Sequence, residues 1–443
     1  MLVCNRQAQA RGVRDGMRLS AACALVPGLH HRPRDADAEA VALDTLAAWA
    51  GQFTPNVSLE PPRALLLDIE GSLKLFGGLR AILRSLRHGL AGMRFSATIA
   101  CAPTAPAALL LARGGKETVV NCRRGLEAAI AGLPLAALDC DAPALQTLAA
   151  IGARNIRDLL ALPRDGLARR CGQTLLDTLD RALGRLPAPR RFFTPPARFA
   201  ARLELAAEIA HSEALLFAAK RLLTQLAGFL AARNGGIQRC VLTLQHAPGR
   251  ADTTVEIGLL APTRDAGHLV LLARERLTAL ALPAPVRGVT LEANEILALA
   301  GENGSLFPAR VNAPGEWEKL VERLRARLGA NAIIGVASRA DHRPELASRA
   351  VQPGARDAKI ACGPRPLWLL EAPRPLAEIA ARPHYRDGPL ALMAGPERIE
   401  SGWWDGADVK RDYYIARAAD HATLWVYREQ RRTGGWYLHG IFG

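Results

Sequence analysis

The stretch ALLLDIEGSLKLFGG, residues 64–78, limits the fold more than any other part of the chain. An apolar run closed by Leu75-Phe76-Gly77-Gly78 reads as a fully buried strand over 64–69, and such strands belong to layered α/β structures with helices on the sheet. Side chains alternate along a strand, so Asp68 and Glu70 project from the same face. Two carboxylates at a strand end can hold divalent metals for phosphoryl transfer. The same pair can equally be the remnant of a site that once did so.

The flanking sequence supplies the helices. DGMRLSAACALVPGL has an acidic start, apolar residues at helical spacing and a Pro-Gly stop, and DADAEAVALDTLAAWAGQF makes a longer amphipathic helix. A basic helix over Leu79–Leu90 and a second strand, FSATIACAP, follow. This alternation predicts an α/β layer.

From about residue 127 the texture changes to short helices. In IGARNIRDLLAL, a Gly able to take positive φ precedes a new helix, which places backbone N–H groups where they can face a phosphate, with Arg154 and Arg157 beside them. A helix-hairpin-helix and an ordinary helical hairpin with solvated arginines both fit. LPAPRRFFTPPAR (186–198) reads as an extended linker. Beyond it the order strand, helix (Ser212–Ala232), strand, strand, helix, strand predicts an antiparallel four-stranded sheet backed by two helices. The tail after about 300 holds the helix EWEKLVERLRARLG, a Pro/Arg-rich middle and a strand-like end. Four of the seven Trp and four of the five Tyr lie after residue 400, giving this region either its own aromatic core or a binding surface.

A chain of 443 residues exceeds one core, so two to four domains are expected. The net charge of +15, carried mostly by arginine, fits a polyanionic partner, and a general bias toward Arg and Ala fits it too. The eight cysteines are scattered, without a C-x-x-C pair or His at ligand spacing, as in a reduced intracellular protein without structural zinc. No apolar run reaches the ~18–20 residues that span a bilayer, and the first residues lack a signal-peptide core, so a cytoplasmic protein is expected.

In this order, a helical cap, an α/β layer with LLLDIEGSLKLFGG and ATIACAPT, a helix-hairpin-helix block, a linker and a small αβ sheet domain, the chain resembles a Y-family translesion DNA polymerase. The resemblance implies an α+β multidomain fold. Its parts would be partial fingers (1–33), a palm lacking its first strand (34–126), a helix-hairpin-helix thumb (127–190), a linker (191–198), a four-stranded αβ little finger (199–298) and a β-rich C-terminal extension (299–443). LFGG, GVRDGMRLSAA, DHRPE (341–345) and the terminal IESGWWDGADVKRDYY…LWVYREQ…GGWYLHGIFG narrow it to the catalytically inactive, ImuB-type branch encoded in bacterial inducible-mutagenesis cassettes.

Active members hold two metals with three carboxylates. Laying the closing Leu-Asp of their palm strand on Leu67-Asp68 puts the Asp-Glu pair at Arg63-Ala64. The resemblance therefore implies lost catalytic positions Arg63 and Ala64, a non-catalytic Asp68, no metal and no cofactor. The first palm strand would precede Met1, so the start is read as late or truncated. The Tyr and Arg that fingers give to a triphosphate match Arg6 and Gln9, and the lysine-bearing phosphate helix matches Ala102–Leu109, which has no lysine.

The function implied is a non-catalytic, DNA-binding adaptor for error-prone translesion synthesis in the bacterial DNA damage response. The alternative is an active Y-family polymerase with a mis-assigned start. Contacts to primer-template DNA, independent of sequence, are expected from Gly152, Arg154, Arg157, Arg164, Arg169 and Arg170 in the thumb and Lys220, Arg221 and Arg239 in the little finger, while Arg233 reads as a contact or a helix cap. The implied partners are the sliding clamp, an error-prone C-family polymerase and a RecA-like accessory protein, at the nucleoid in the cytoplasm. NGSLF, with Asn303, Leu306 and Phe307, has clamp-binding spacing; alternatively Leu306 and Phe307 dock onto the little finger. Trp403, Trp404 and Trp425 lie in the block resembling a partner-docking region, and DHRPE reads as a hydrogen-bonded structural turn.

Overall fold

Helices α1 (Arg6–Ala10), α2 (Leu19–Leu25) and α3 (Ala36–Ala50) open the chain. The side chains of Asn5 and Asp35 accept the Ala8 and Ala38 amides and so start α1 and α3. The computed structural model describes residues 2–138, 140, 142–299, 315–355, 363–386, 388–431 and 434–442. It divides into two units, 1–257 with 262–302 and 303–443 with 258–261.

In the first unit β1 (Val57–Glu60) and β2 (Ala64–Leu67) form an antiparallel hairpin, in register from Val57 opposite Leu67 to Glu60 opposite Ala64. Two expectations fail here. The strand read as fully buried over 64–69 is four residues long and half-buried. It has one strand neighbour, and Leu65 and Leu67 pack on a single cluster around Trp49, Phe53 and Ile82. FSATIACAP is not a strand: residues 95–100 are irregular and Cys101 makes one bridge, to Val119, because no described strand offers a ladder beside it. Helix α4 (Leu79–Gly92) follows Gly78, whose φ of +103° a side chain would resist.

Helices α5 (Ala105–Arg113), α6 (Leu126–Ala131), α7 (Ala142–Ala150), α8 (Ile156–Leu160), α9 (Arg164–Cys171) and α10 (Gln173–Ala182) share a second core around Leu111, Ile130, Leu148, Ile156 and Leu179. The segment read as a linker is tied down. Phe193 donates its N–H to Val57 O at 2.7 Å and packs on the Trp49 cluster, and Arg190 pairs with Glu60.

The next elements are β3 (Phe199–Ile209), α11 (Leu216–Ala231), β4 (Gly235–Gln245), β5 (Thr253–Thr263), α12 (Ala266–Thr278), β6 (Val286–Ala293) and the short β7 (Leu297–Ala298). Their order in the sheet is β3-β6-β4-β5, with β7 on β4 and two helices behind, the succession that the alternating apolar pattern predicts. Residues 212–231 are long and apolar enough to cross a membrane, yet 56% of that window is buried, as the core helix of the sheet requires.

The second unit holds α13 (Glu316–Leu328), the hairpin β8 (Gly335–Ser338) with β9 (Ser348–Val351), and a sheet of β10 (Trp368–Ile379), β11 (Arg382–Tyr385), β12 (Gly388–Pro389), β13 (Ala391–Ser401), β14 (Val409–Arg417), β15 (Thr423–Glu429) and β16 (Trp436–Ile441). The order is β12-β11-β10-β16-β15-β14-β13. Alternation along β14 to β16 feeds two apolar clusters. One holds Tyr413, Trp425 and Tyr427, and the other Leu424, Val426, Trp436 and Leu438.

Candidate nucleic-acid interface

Arg63 is exposed at the turn of the β1–β2 hairpin, and Ala64 begins β2. Asp68 closes its own turn. Its N–H donates to Asn56 O at 3.1 Å, its carbonyl accepts the Thr54 hydroxyl and its Oδ1 accepts the Glu70 N–H at 3.4 Å. These residues do not fit a two-metal centre. A guanidinium and a methyl group stand at the strand start, and among the described residues no three of His, Cys, Asp and Glu converge.

The hairpin turn borders a cleft of about 1950 Å³ whose other wall comes from residues 2–43. Of the described residues lining it, two are carboxylates, and both are matched: Glu39 holds the Arg34 guanidinium through contacts of 2.7–3.1 Å, and Glu60 pairs with Arg190. The hydrogen bond from Arg34 holds the Glu39 carboxyl below its ordinary range. Arg11, Arg32 and Arg63 line the same cleft with no ion-pair partner among the described residues. The cavity is therefore basic where a metal site would be acidic. Of the two positions matched to triphosphate ligands, Gln9 donates to Cys4 O at 3.3 Å, and the Arg6 side chain lies outside the described set.

In the helical block Gly152 takes a φ of +84°, as the turn requires. The hairpin amides expected to meet a phosphate are already engaged, which corrects that expectation. Gly152 N–H donates to Ala149 O, Ala153 N–H to Leu148 O and Ile156 N–H to Leu133 O. The N–H groups of Arg154 and Asn155 donate to Asp158 Oδ2 at 2.8 and 3.2 Å, and the Asn155 side chain accepts the Asp158 N–H in return. This capping box puts the protein's own carboxylate where an anion was expected.

The arginines divide into two groups. Arg154, Arg157, Arg169 and Arg170 are exposed, with no ion-pair partner among the described residues. Arg164 instead grips the buried Asp180, which Arg185 also approaches at 3.5 Å, and these contacts, led by the hydrogen bond from Arg164, keep the Asp180 carboxyl below its ordinary range.

On α11 Lys220 is exposed, but Arg221 lies over the Phe95 ring at 4.8 Å with its Nε buried and unpartnered, and burial lowers its pKa. Arg233 stacks on Phe229 and donates to Pro195 O at 3.0 Å, so it ties the end of α11 to the 186–198 segment and does not cap a carbonyl of its own helix. Arg239 pairs with Glu256, as Arg202 does with Glu204 and Arg287 with Glu208, so the charge on this sheet is largely matched. Asn303, Leu306 and Phe307 lie outside the described residues. Trp403 and Trp404 are 80% and 59% exposed, whereas Trp425 is 2% exposed and stacks on Tyr413 at 4.2 Å, so Trp425 is a core residue and not a contact surface.

Residues 1–113 match the impB/mucB/samB family. Protein ImuB of Caulobacter vibrioides strain NA1000 is 31% identical over 460 aligned residues, covering 98% of this chain and 100% of that protein, and ImuB of strain ATCC 19089 matches equally. The chain belongs to the ImuB family. Similar solved structures include a Dbh ternary complex and DinB from Sulfolobus solfataricus, both 15% identical with a TM-score of 0.36, covering 67% of this chain and 89% and 87% of theirs. In this ImuB-type, Y-family polymerase-like chain, sequence reasoning missed the cleft arginines Arg11 and Arg32. The signal was present in the basic tracts RGVR and HHRPR.

Proposed function

We propose that this ImuB-family protein is a non-catalytic, DNA-binding adaptor for error-prone translesion synthesis in the bacterial DNA damage response, acting in the cytoplasm at the nucleoid. The observation that carries this reading is the palm hairpin. Arg63 and Ala64 stand where the resemblance places metal ligands, and Arg63 joins Arg11 and Arg32 in a cleft whose carboxylates are neutralised. A cation pair brought into that cavity meets fixed positive charge, which is costly at short range. The exposed thumb arginines provide phosphate contacts that fix position without reading sequence. In this role the chain joins the sliding clamp, through Asn303, Leu306 and Phe307, to an error-prone C-family polymerase and a RecA-like accessory protein.

Two measurements test it. Primer-template DNA is bound with an affinity that falls steeply with salt, and a labelled primer is not extended by the protein alone with Mg²⁺ or Mn²⁺ and all four nucleotides. Extension by the purified chain overturns the reading in favour of an active polymerase.

A further inference from the structure

Arg343 is 2% exposed, and all five of its N–H groups are used. Its Nε and Nη2 donate to the two oxygens of Asp341 at 3.0 and 2.9 Å, its Nη1 and Nη2 to those of Asp405 at 3.0 and 2.6 Å, and its Nη1 also to Ala407 O at 3.2 Å. One guanidinium thus fastens the 339–347 segment to the loop 402–407. The fit admits no side chain at Gly402, where φ is +86° and a Cβ would lie 2.6 Å from both Arg343 Nη1 and Ala407 O. This rigid support holds two tryptophans out in water. The rings of Trp403 and Trp404 stand 5.5 Å apart at 84°, an open corner formed by two aromatic surfaces.

The surroundings select the ligand. Arg343 is shared between Asp341 and Asp405, and Arg431 pairs with Asp408 at 2.7 Å; with Arg339 and Arg349 these groups are four guanidiniums against three carboxylates, an excess of one positive charge that favours an anion. Next along the same segment, Ser338, Arg339, Ala340 and Arg349 line a shallow pocket of about 370 Å³, tied to the clamp by the Asp341 N–H donating to Arg339 O at 2.8 Å. Arg339 and Arg349 are exposed and make no close ion pair among the described residues, though the Arg339 charge acts on Asp341. A flat aromatic corner joined through Arg343 to a segment with two exposed guanidiniums matches an alternation of base and phosphate.

We propose that this corner binds single-stranded nucleic acid, an unpaired base stacking on Trp403 and Trp404 while the adjoining phosphate lies between Arg339 and Arg349. The site goes beyond the proposed function, in which the thumb and cleft of the first unit hold DNA. Unpaired DNA is the chemistry it fits.

The test titrates a short oligo(dT) into the full chain while following tryptophan fluorescence. Quenching is expected. Trp403→Ala/Trp404→Ala weakens binding about tenfold with an unchanged circular dichroism spectrum, while Trp403→Phe/Trp404→Phe retains most of it. Arg339→Ala/Arg349→Ala weakens binding and lowers the salt slope by about one to two. An abasic oligomer of the same length binds the wild type about tenfold more weakly than oligo(dT). Equal affinity of the abasic oligomer overturns the proposal, as does unchanged affinity of the tryptophan and arginine variants. So does a tryptophan variant that binds DNA normally but loses a co-purifying protein. Arg154→Ala/Arg157→Ala separates the two sites, since it lowers affinity for primer-template duplex and leaves the oligo(dT) quench in place.

Discussion

Trp49 occupies the space that a side chain at residue 228 would need: a Cβ on Gly228 would lie 2.1 Å from Trp49 Cδ1. The far edge of the same indole does this at Gly89, where a Cβ would meet Cζ2 at 2.1 Å. The ring is 3% exposed, held between α4 and α11, with Arg94 over Phe217 at 3.8 Å and Arg221 over Phe95 at 4.8 Å beside it. The helix α11 and the helices α3 and α4 behind the β1–β2 hairpin therefore pack as one body, and Arg221 works inside that seam.

Gly228→Ala forces the indole or α11 to move, at a cost of about 1–3 kcal/mol, and Trp49→Ala leaves a cavity costing about 3–5 kcal/mol. Urea unfolding followed by circular dichroism should show both, with Trp49→Ala also speeding tryptic cleavage in the Arg-containing segment 186–198. A Gly228→Ala midpoint equal to wild type would mean that the seam is loose.

The arginines between residues 154 and 170 should separate by role. Arg154→Ala/Arg157→Ala and Arg169→Ala/Arg170→Ala leave the melting temperature in place and each reduce the salt slope of DNA binding by about two, one for every phosphate no longer neutralised. Arg164→Ala strips a buried carboxylate of its main partner and should lower stability by about 1–3 kcal/mol. Arg239→Ala breaks an exposed pair and should alter stability by less than about 1 kcal/mol. Fluorescence anisotropy at several salt concentrations, with thermal melts of the same samples, reads all four.

Arg343→Lys is not conservative here. An ammonium cannot bridge Asp341 and Asp405 with paired hydrogen bonds, and it leaves two carboxylates and Ala407 O short of donors. Loss of about 2–4 kcal/mol from the second unit is expected, read as an earlier thermal transition in calorimetry. A transition at the wild-type temperature would show that the loop is held by something else.

The same residues show where sequence reasoning reached and where it stopped. The four-stranded sheet with its two helices was legible because each strand alternates and each helix carries a full apolar face. β10 and β13 were hidden by Pro373, Pro375 and Pro396 and by charged residues, which weaken the period-two signal in exposed strands. Arg154 and Arg164 look alike in sequence. What separates them is Asp180, sixteen residues from Arg164, brought under it by the packing of α9 on α10. The hairpin amides were misjudged because Asp158 follows Asn155 by three, a capping pattern that satisfies the donors locally. Trp425 and Trp404 differ in the element that carries them, the one on a strand with its ring turned into the core, the other in a turn.

His439 provides the clearest pH signature. It is 1% exposed, and its Nδ1 lies 2.8 Å from the Tyr413 hydroxyl. That hydroxyl accepts from Arg411 at 3.1 Å, and with its proton and second lone pair it pairs with either tautomer of a neutral ring at Nδ1. Burial pushes the imidazole pKa down to about 4, with Arg411 adding to the effect and Glu345 opposing it. The unfolded chain takes up this proton near the ordinary value of about 6.5 and the folded protein does not. The stabilisation is thus complete above about pH 6.5 and is lost as pH falls toward 4, by about 3 kcal/mol in all. Below that, protonation of Asp341, held down to about 2 chiefly by Arg343, removes more. Urea unfolding between pH 7 and 4 should show the wild type losing stability faster than His439→Gln, and parallel curves would mean that the native imidazole is charged.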